Sequence, residues 1–189
     1  MSTTSTDIVN QAIYLIGDNQ APVTGVSPTF DNSTAGKAAA QLYIPCVQTI
    51  AKQFGWDFDR NTVVLTLSSN TPLFPWTLEY LYPTNGVEVR QLMPSTIPDQ
   101  FNPLPDNWVV CNNLVSSVPT KVIQTNVANA LAVFTNQPLE STWDALFREA
   151  VVRLLASEMA MAINGRPDTA RDAYSTSAQM GQIGQSKDG

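Results

Sequence analysis

The sequence predicts an α+β fold in which a small helical bundle carries a β-rich insertion. Apolar residues recur at helical spacing near both ends of the 189-residue chain. Between them, short β-branched runs are separated by proline- and asparagine-containing turns. This middle is also nearly free of charge, whereas a solvated surface normally mixes many charges of both signs. Its charged residues are Glu79, Glu88, Arg90, Asp99, Asp106 and Lys121.

Three parts of the chain follow from this pattern. Residues 1–60 and 140–180 are expected to form the helical domain, and residues 61–139 the β-rich insertion. Residues 181–189 are rich in Gly, Gln and Ser. That composition is typical of segments that do not fold alone, so a flexible C-terminal tail is predicted.

Two helices are predicted before the insertion. The first lies near 7–16, with Thr6 or Asp7 as its N-cap and Gly17 as the left-handed residue that closes it. The second lies near 31–54 and is capped by one of residues 31–33. Pro45 lies inside the second helix, where the missing N–H predicts a kink.

The insertion is predicted to contain strands and two hairpins. Strands are expected at 62–67, 76–82 and 87–93, with an Asn-Gly turn at 83–86 and a proline-rich loop at 94–105. The first hairpin joins 108–111 to 114–118 across Asn112 and Asn113. The second joins 121–125 to 130–135 across residues 126–129.

Two helices are predicted after the insertion. One lies near 141–163, with Ser141 as N-cap and Asp144 completing a capping-box-like pair. The other lies near 168–180 and has few large apolar residues. Its stripe of small residues suits packing against a neighbouring subunit, although a frayed terminal helix explains it equally well.

Composition argues against several functional classes. The chain has no histidine, which is the commonest general base and metal ligand. Cys46 and Cys111 are too far apart for a CxxC pair and are predicted to be reduced and structural. Asp57 and Asp59 are more simply solvated turn residues than cation ligands. We predict no enzyme activity and no catalytic, cofactor-binding or metal-binding residue.

The net charge of −6 and the pI of about 4.4 argue against sequence-specific DNA binding, which uses a basic patch. Arg166 and Arg171 lie close to Asp168 and Asp172, so a mixed-charge helix surface is favoured over a phosphate site. The tryptophans permit an alternative function, a carbohydrate-binding or adhesion module that uses the β region, although core or subunit-interface positions are favoured for them. They are Trp56, Trp76, Trp108 and Trp143.

The order of motifs resembles the head-to-tail adaptor (connector) proteins of tailed bacteriophages, the family that includes tail tubular protein A of short-tailed phages. No single motif is specific; the resemblance lies in the ordered set across residues 7–180. The long polar loop at 94–105 and the short last helix depart from the family pattern. The matching segments are IYLIG at 13–17, AAA at 38–40, FGWDF at 54–58, LFPW at 73–76, EYLYP at 79–83, VEVR at 87–90, and Trp143, Leu146, Phe147, Ala150, Leu154, Leu155, Ala156, Met159 and Ala160 in the predicted third helix.

The resemblance implies a non-enzymatic structural protein of the virion neck, assembled in the host cytoplasm and located between portal and tail. Such proteins form a homo-oligomeric ring, usually dodecameric, that prolongs the DNA channel and lies near DNA without reading it. The expected partners are the portal protein and tail or nozzle proteins, with no membrane. Tyr174, Met180 and Ile183 are the predicted partner contacts, and deletion of 181–189 is expected to weaken portal docking without unfolding the chain.

Overall fold

The computed structural model describes residues 3–17, 21–95, 108–164 and 167–187. The chain divides into two compact units, residues 1–59 with 137–189 and residues 60–136. We call them the helical unit and the β unit. The described residues contain four α-helices and three small antiparallel sheets, which confirms the predicted α+β fold class.

The helical unit contains all four helices and one short hairpin. The hairpin strands lie between the first two helices, and a π-helical turn, Ala160–Asn164, ends the third. The elements are α1 Ser5–Leu15, β1 Gly25–Val26, β2 Thr29–Phe30, α2 Thr34–Gln53, α3 Ala145–Met159 and α4 Pro167–Lys187.

Helix starts differ from the prediction in two of the three cases that the structure defines. The N-cap of α1 is Thr4, which accepts from Asp7 N while the Asp7 carboxylate accepts from Thr4 N at 2.9 Å. This capping box replaces the predicted cap at Thr6 or Asp7. The N-cap of α2 is Ser33, within the predicted range. Gly17 has φ 67°, as predicted for a left-handed closing residue.

The predicted start of α3 at Ser141 is wrong. Residues 140–142 form a 3-10 turn, and Trp143 has an extended backbone with ψ 132°. Helical geometry therefore begins only after Asp144, whose carboxylate accepts from Leu146 N at 2.8 Å.

The predicted end of the last helix near residue 180 is also wrong, because α4 continues to Lys187. Residues 181–187 are therefore helical, and not the flexible tail expected from their composition. Gly181 is buried against the ring of Phe54, so the lack of a side chain permits close packing at this point. The Gly, Gln and Ser content predicted a loose segment because composition alone does not take such tertiary contacts into account.

The small-residue face of α4 packs inside the chain, against α3. The Ser177 hydroxyl donates to Ala150 O at 2.9 Å, and the Ser157 hydroxyl donates to Ala170 O at 2.8 Å. Small side chains let the two helices approach, and the serine hydroxyls find acceptors in backbone carbonyl groups. The expected use of this stripe against a neighbouring subunit is therefore incorrect.

Aromatic residues concentrate in the core of the helical unit. The Phe147 ring is fully buried and lies edge-on to Trp56, Phe58 and Trp143 at centroid distances of 5.2, 5.2 and 4.9 Å. Trp56 Nε1 donates to Ile50 O at 3.1 Å, which satisfies the polar end of a buried indole. These contacts join α2, the segment that follows it and α3.

The β unit contains two three-stranded antiparallel sheets, with strand orders β3-β8-β5 and β4-β7-β6. After β3, Leu65 N still donates to Ala130 O at 2.8 Å, while Leu67 already bridges to Tyr80 in the other sheet. The chain thus passes directly from one sheet to the other. The strands are β3 Arg60–Val64, β4 Leu78–Leu81, β5 Gly86–Pro94, β6 Trp108–Val115, β7 Val118–Thr125 and β8 Ala130–Asn136.

Both sheets contribute to one core in the β unit. Ile123 from β7 and Ala132 from β8 are fully buried in the same cluster as Tyr80 and Leu92. The Tyr80 hydroxyl donates to Val127 O at 3.0 Å, in the connection between β7 and β8. This connection crosses between sheets, so the predicted hairpin of 121–125 with 130–135 is wrong.

The other predicted hairpin is present with a different turn. β6 continues through Asn112 and Asn113, and the reversal occurs at Ser116 and Ser117, with φ 50° and 67°. Asn85 has φ 62° in the turn predicted at 83–86. The predicted loop at 94–105 lies largely outside the described residues.

Candidate interaction surfaces

The three predicted partner contacts lie on α4 but do not form one surface. Tyr174 is 55% exposed and Ile183 is 44% exposed. They are nine residues apart, about two and a half helical turns, so they lie on opposite sides of α4. Met180 is partly buried and packs against the core of the helical unit. Tyr174 and Ile183 therefore remain available as contacts, and Met180 has a packing role.

A groove runs between α1 and α3 in the helical unit. Its volume is about 610 Å³. Tyr14, 84% exposed, and Leu15 contribute its apolar wall, and the buried Val152 contributes its floor. Leu15 also borders a second, smaller depression of about 270 Å³ against α3 and α4. The C-terminal end of α1 thus offers unusual apolar exposure beside two concave surfaces.

Two carboxylates that line the larger groove, Asp7 and Glu149, already have partners. Asp7 belongs to the α1 capping box, where hydrogen bonds from the Thr4 backbone and hydroxyl lower its pKa. The Glu149 carboxylate pairs with Arg153 at 2.7 Å, one turn along α3. These two carboxylates therefore do not require a cation from a ligand. A partner that enters the groove would mainly contact its exposed apolar side chains.

Among the described residues of the β unit, the most exposed large apolar side chains lie on the loop between β3 and β4. Leu73 is 84% exposed and Phe74 is 97% exposed. The sequence signalled a break here through Pro72 and Pro75 but gave no sign of such exposure. We call residues 71–77 the Phe74 loop.

A buried carboxylate holds the base of the Phe74 loop. Glu79, in β4, is 1% exposed. Its Oε1 accepts from Asn70 Nδ2 at 3.1 Å, and its Oε2 accepts from Asn113 Nδ2 and Gln124 Nε2, both at 2.9 Å. Asn70 Nδ2 also donates to Leu114 O at 2.8 Å. One carboxylate therefore joins β4, β6, β7 and the residue that precedes the loop.

The environment of Glu79 stabilises its ionised form. Burial raises the pKa of this carboxyl, but hydrogen bonds from Gln124, Asn113, Ser68 and Asn70 outweigh burial and place the pKa below its ordinary value. Burial, and after it the Glu79 charge, raises the pKa of the Cys111 thiol. An ionised Glu79 surrounded by amide donors is a structural acceptor, and no acid–base partner contacts it among the described residues.

Other exposed apolar residues of the β unit lie on its strands. All five residues of β3 are exposed. Val109 and Leu114 are exposed on β6, and Val118 follows the turn at the start of β7. Exposed apolar patches on soluble proteins commonly mark interaction sites.

The other sequence candidates do not form a chemical site. Asp59 is buried and Asp57 is exposed, so the two carboxylates do not share an environment. In the described ranges, no three His, Cys, Asp or Glu side chains are grouped to hold a metal ion. Cys46 and Cys111 are both free, and burial is the main cause that raises the pKa of Cys46 to about 12. Arg166 lies outside the described residues.

The tryptophans are not arranged as an open platform. Trp56 is buried and Trp143 stacks on Tyr43 in the helical unit, while Trp108 packs against the core of the β unit. Trp76 is half-buried. Glycan recognition needs an exposed indole face, so no observation favours the adhesion alternative. None of the described helices has the length and apolarity needed to cross a membrane.

The chain matches no protein-family model, and a search of curated proteins finds no similar sequence.

Proposed function

We propose that this chain is a structural subunit of the ring-shaped adaptor between the portal and the tail of a tailed bacteriophage. The observation that carries the proposal is the Phe74 loop, which presents Leu73 and Phe74 to solvent on a charge-poor β unit. Such exposure is unfavourable in an isolated protein and becomes favourable when a protein partner buries it. The helical unit with its β insertion is also the architecture that the sequence resemblance implies.

Depleted charge supports an interface role for the β unit. Interface cores contain fewer charged residues than the remaining protein surface. Val63, Val64 and Leu114 are further exposed apolar residues of the β unit. In this proposal the contacts are made with other copies of the chain and with tail or nozzle proteins, in a ring that is dodecameric in related assemblies.

The proposed portal contact uses the exposed sides of α4. Tyr174 and Ile183 are 55% and 44% exposed, so each presents apolar surface to solvent. The acidic composition suits a channel that lets DNA pass, because like charges repel. The protein would then work in the virion neck, through assembly and not through catalysis.

The test is co-sedimentation of the purified chain with the portal ring of the phage that carries it, with the mass of free and bound species measured by light scattering. We expect stoichiometric binding, weakened in Tyr174→Ala and Ile183→Ser. Gln182→Ala, also at an exposed position of α4, is the matched control. A chain that stays monomeric and ignores this portal would contradict the proposal.

Point variants are preferable to the truncation expected from the sequence. Removal of residues 181–189 deletes Gly181, which is buried against Phe54. Loss of binding by that truncation would mix a folding defect with a lost contact.

A further inference from the structure

The Phe74 loop is fixed at both ends, although its tip is exposed. Asn70 is bound to Glu79 and to Leu114 O, as described above. At the other end, Thr77 N and the Thr77 hydroxyl donate to Asn126 Oδ1 at 2.9 and 3.0 Å. Within the loop, Trp76 N donates to Leu73 O at 3.1 Å. A loop held in this way loses little conformational freedom on binding, so it is organised for contact.

Charge indicates what kind of surface the loop meets. Residues 65–78 contain no Asp, Glu, Lys or Arg, whereas the chain as a whole has a net charge of −6. Two copies of such a chain repel each other at long range. Electrostatic repulsion between two copies is weakest where one of the two contacting surfaces is uncharged. The Phe74 loop lies in such an uncharged segment and carries two exposed apolar side chains, Leu73 and Phe74.

The same chain provides a concave surface of suitable size. The groove between α1 and α3 has a volume of about 610 Å³, ample for a phenylalanine and a leucine side chain. Tyr14, Leu15 and Val152 offer apolar contacts there. The neighbouring polar groups are already bound: Asn10 exchanges two hydrogen bonds with the backbone of Val23, at 2.8 and 3.1 Å, and Glu149 pairs with Arg153. An uncharged insert therefore does not have to compete for these two groups.

We propose that the Phe74 loop of one copy inserts into the α1–α3 groove of the next copy. The two surfaces differ, so the contact is heterologous and repeats from copy to copy, which is the geometry that closes a ring. This inference rests on the proposed ring and specifies its subunit contact.

Site-specific cross-linking tests the contact. Two variants are made in a Cys111→Ser background, one with Thr71→Cys, an exposed loop position that leaves Leu73 and Phe74 intact, and one with Gln11→Cys, an exposed position that lines the groove. Oxidation is carried out on each variant alone and on their mixture, at high protein concentration and on the portal ring. A disulfide-linked dimer in the mixture, and not in either variant alone, is the expected result. Cross-linking of Thr71→Cys to itself would show a two-fold contact and overturn the proposal.

A second measurement uses the Phe74→Ser variant, whose fold should be unaffected because the side chain is in solvent. Self-association measured by light scattering should weaken by at least about tenfold, the effect of losing one buried aromatic side chain. Leu139→Ser, at another exposed leucine, is the matched control and should leave association unchanged. Unchanged association of Phe74→Ser would also overturn the proposal.

These outcomes separate the two proposals. An assembly that binds the portal but yields no mixed cross-link would overturn the loop-in-groove contact alone. A chain that neither self-associates nor binds the portal would overturn both.

Discussion

Gly181 in α4 lies directly against the ring of Phe54 at the end of α2, with no space for a Cβ atom between them. Phe54 itself is buried and packs edge-on to Trp56 at a centroid distance of 6.2 Å. The last turns of α4 are therefore joined to the aromatic core of the helical unit through a glycine.

Replacing Gly181 by alanine should destabilise the protein. In an open helix this change stabilises by about 0.5–1 kcal/mol, because glycine loses more backbone entropy on folding. Here the new methyl group meets the Phe54 ring, and overpacking of this kind costs about 1–3 kcal/mol. Thermal and urea unfolding should show a lower free energy of unfolding for Gly181→Ala.

The Phe54→Leu background provides the control for this clash. A smaller side chain at position 54 leaves room for the methyl group, so Gly181→Ala should be less harmful there than in the natural chain. Equal destabilisation in both backgrounds would show that the Phe54 ring is not the cause.

Replacing Glu79 by glutamine should destabilise the β unit by about 1.5–3 kcal/mol, the usual range for hydrogen bonds to a charged group. The carboxylate accepts three amide hydrogen bonds, and a glutamine amide would point one N–H₂ group at other donors. Glu158→Gln, at an exposed site on α3, is the matched control. Chemical unfolding of the three proteins at neutral pH is the measurement.

The effect of Glu79→Gln should depend on pH. The pKa of Glu79 in the folded protein lies below its ordinary value of 4.5. Its stabilising contribution is therefore complete above that ordinary value and is lost as pH falls through the folded-state pKa. The difference in unfolding free energy between the natural chain and Glu79→Gln should narrow in acid. A difference that widened below pH 4.5 would contradict this account.

Asp31 should titrate at an unusually low pH. Hydrogen bonds from the Ser33 hydroxyl, the Thr24 backbone and the Ser33 backbone lower its pKa from 3.8 to about 2. Carboxyl chemical shifts followed by NMR should give that midpoint, and Ser33→Ala should move it back towards 3.8. The stability that Asp31 supplies persists in mild acid and disappears as pH falls through about 2. A midpoint near 3.8 in the natural chain would be inconsistent with this loop geometry.

Most helices and strands could be predicted from the sequence, but the tertiary contacts that set their ends and turns could not. Apolar periodicity located the four helices, and Gly17 and Asn85 were recognisable because few residues accept positive φ. Asn112 and Asn113 were misassigned to a turn for a physical reason. Asparagine favours turns, but Asn113 serves as an amide donor to the distant Glu79. Local sequence does not reveal a partner 34 residues away.

The candidate surfaces were less predictable than the fold. Tyr174, Met180 and Ile183 were predicted as contacts because the resemblance places the C-terminal segment against the portal. Tyr174 and Ile183 are exposed, whereas Met180 packs on the core. The Phe74 loop was missed because Leu73 and Phe74 are also typical core residues, and only the tertiary structure distinguishes the two environments. The α1–α3 groove has no local signal, since its walls come from helices about 135 residues apart in the chain.

The turn between β6 and β7 offers a stabilising substitution. Ser116 and Ser117 both have positive φ, the backbone of a type I′ turn, in which glycine is strongly preferred at the second position. Ser117 has φ 67°, a conformation that costs an L-residue about 1–2 kcal/mol and costs glycine almost nothing. Ser117→Gly should therefore raise the free energy of unfolding by about 1 kcal/mol.

The matched control for this turn is Ser117→Ala. Alanine removes the hydroxyl group as glycine does, but it keeps the Cβ that makes positive φ unfavourable. Only Ser117→Gly should raise the midpoint of urea unfolding if relief of backbone strain is the cause. If the turn forms after the folding transition state, the added stability of Ser117→Gly should appear mainly as slower unfolding. If the turn forms before it, the added stability should appear as faster folding. Equal stabilisation by alanine would mean that the hydroxyl group, and not the backbone conformation, is unfavourable at this position.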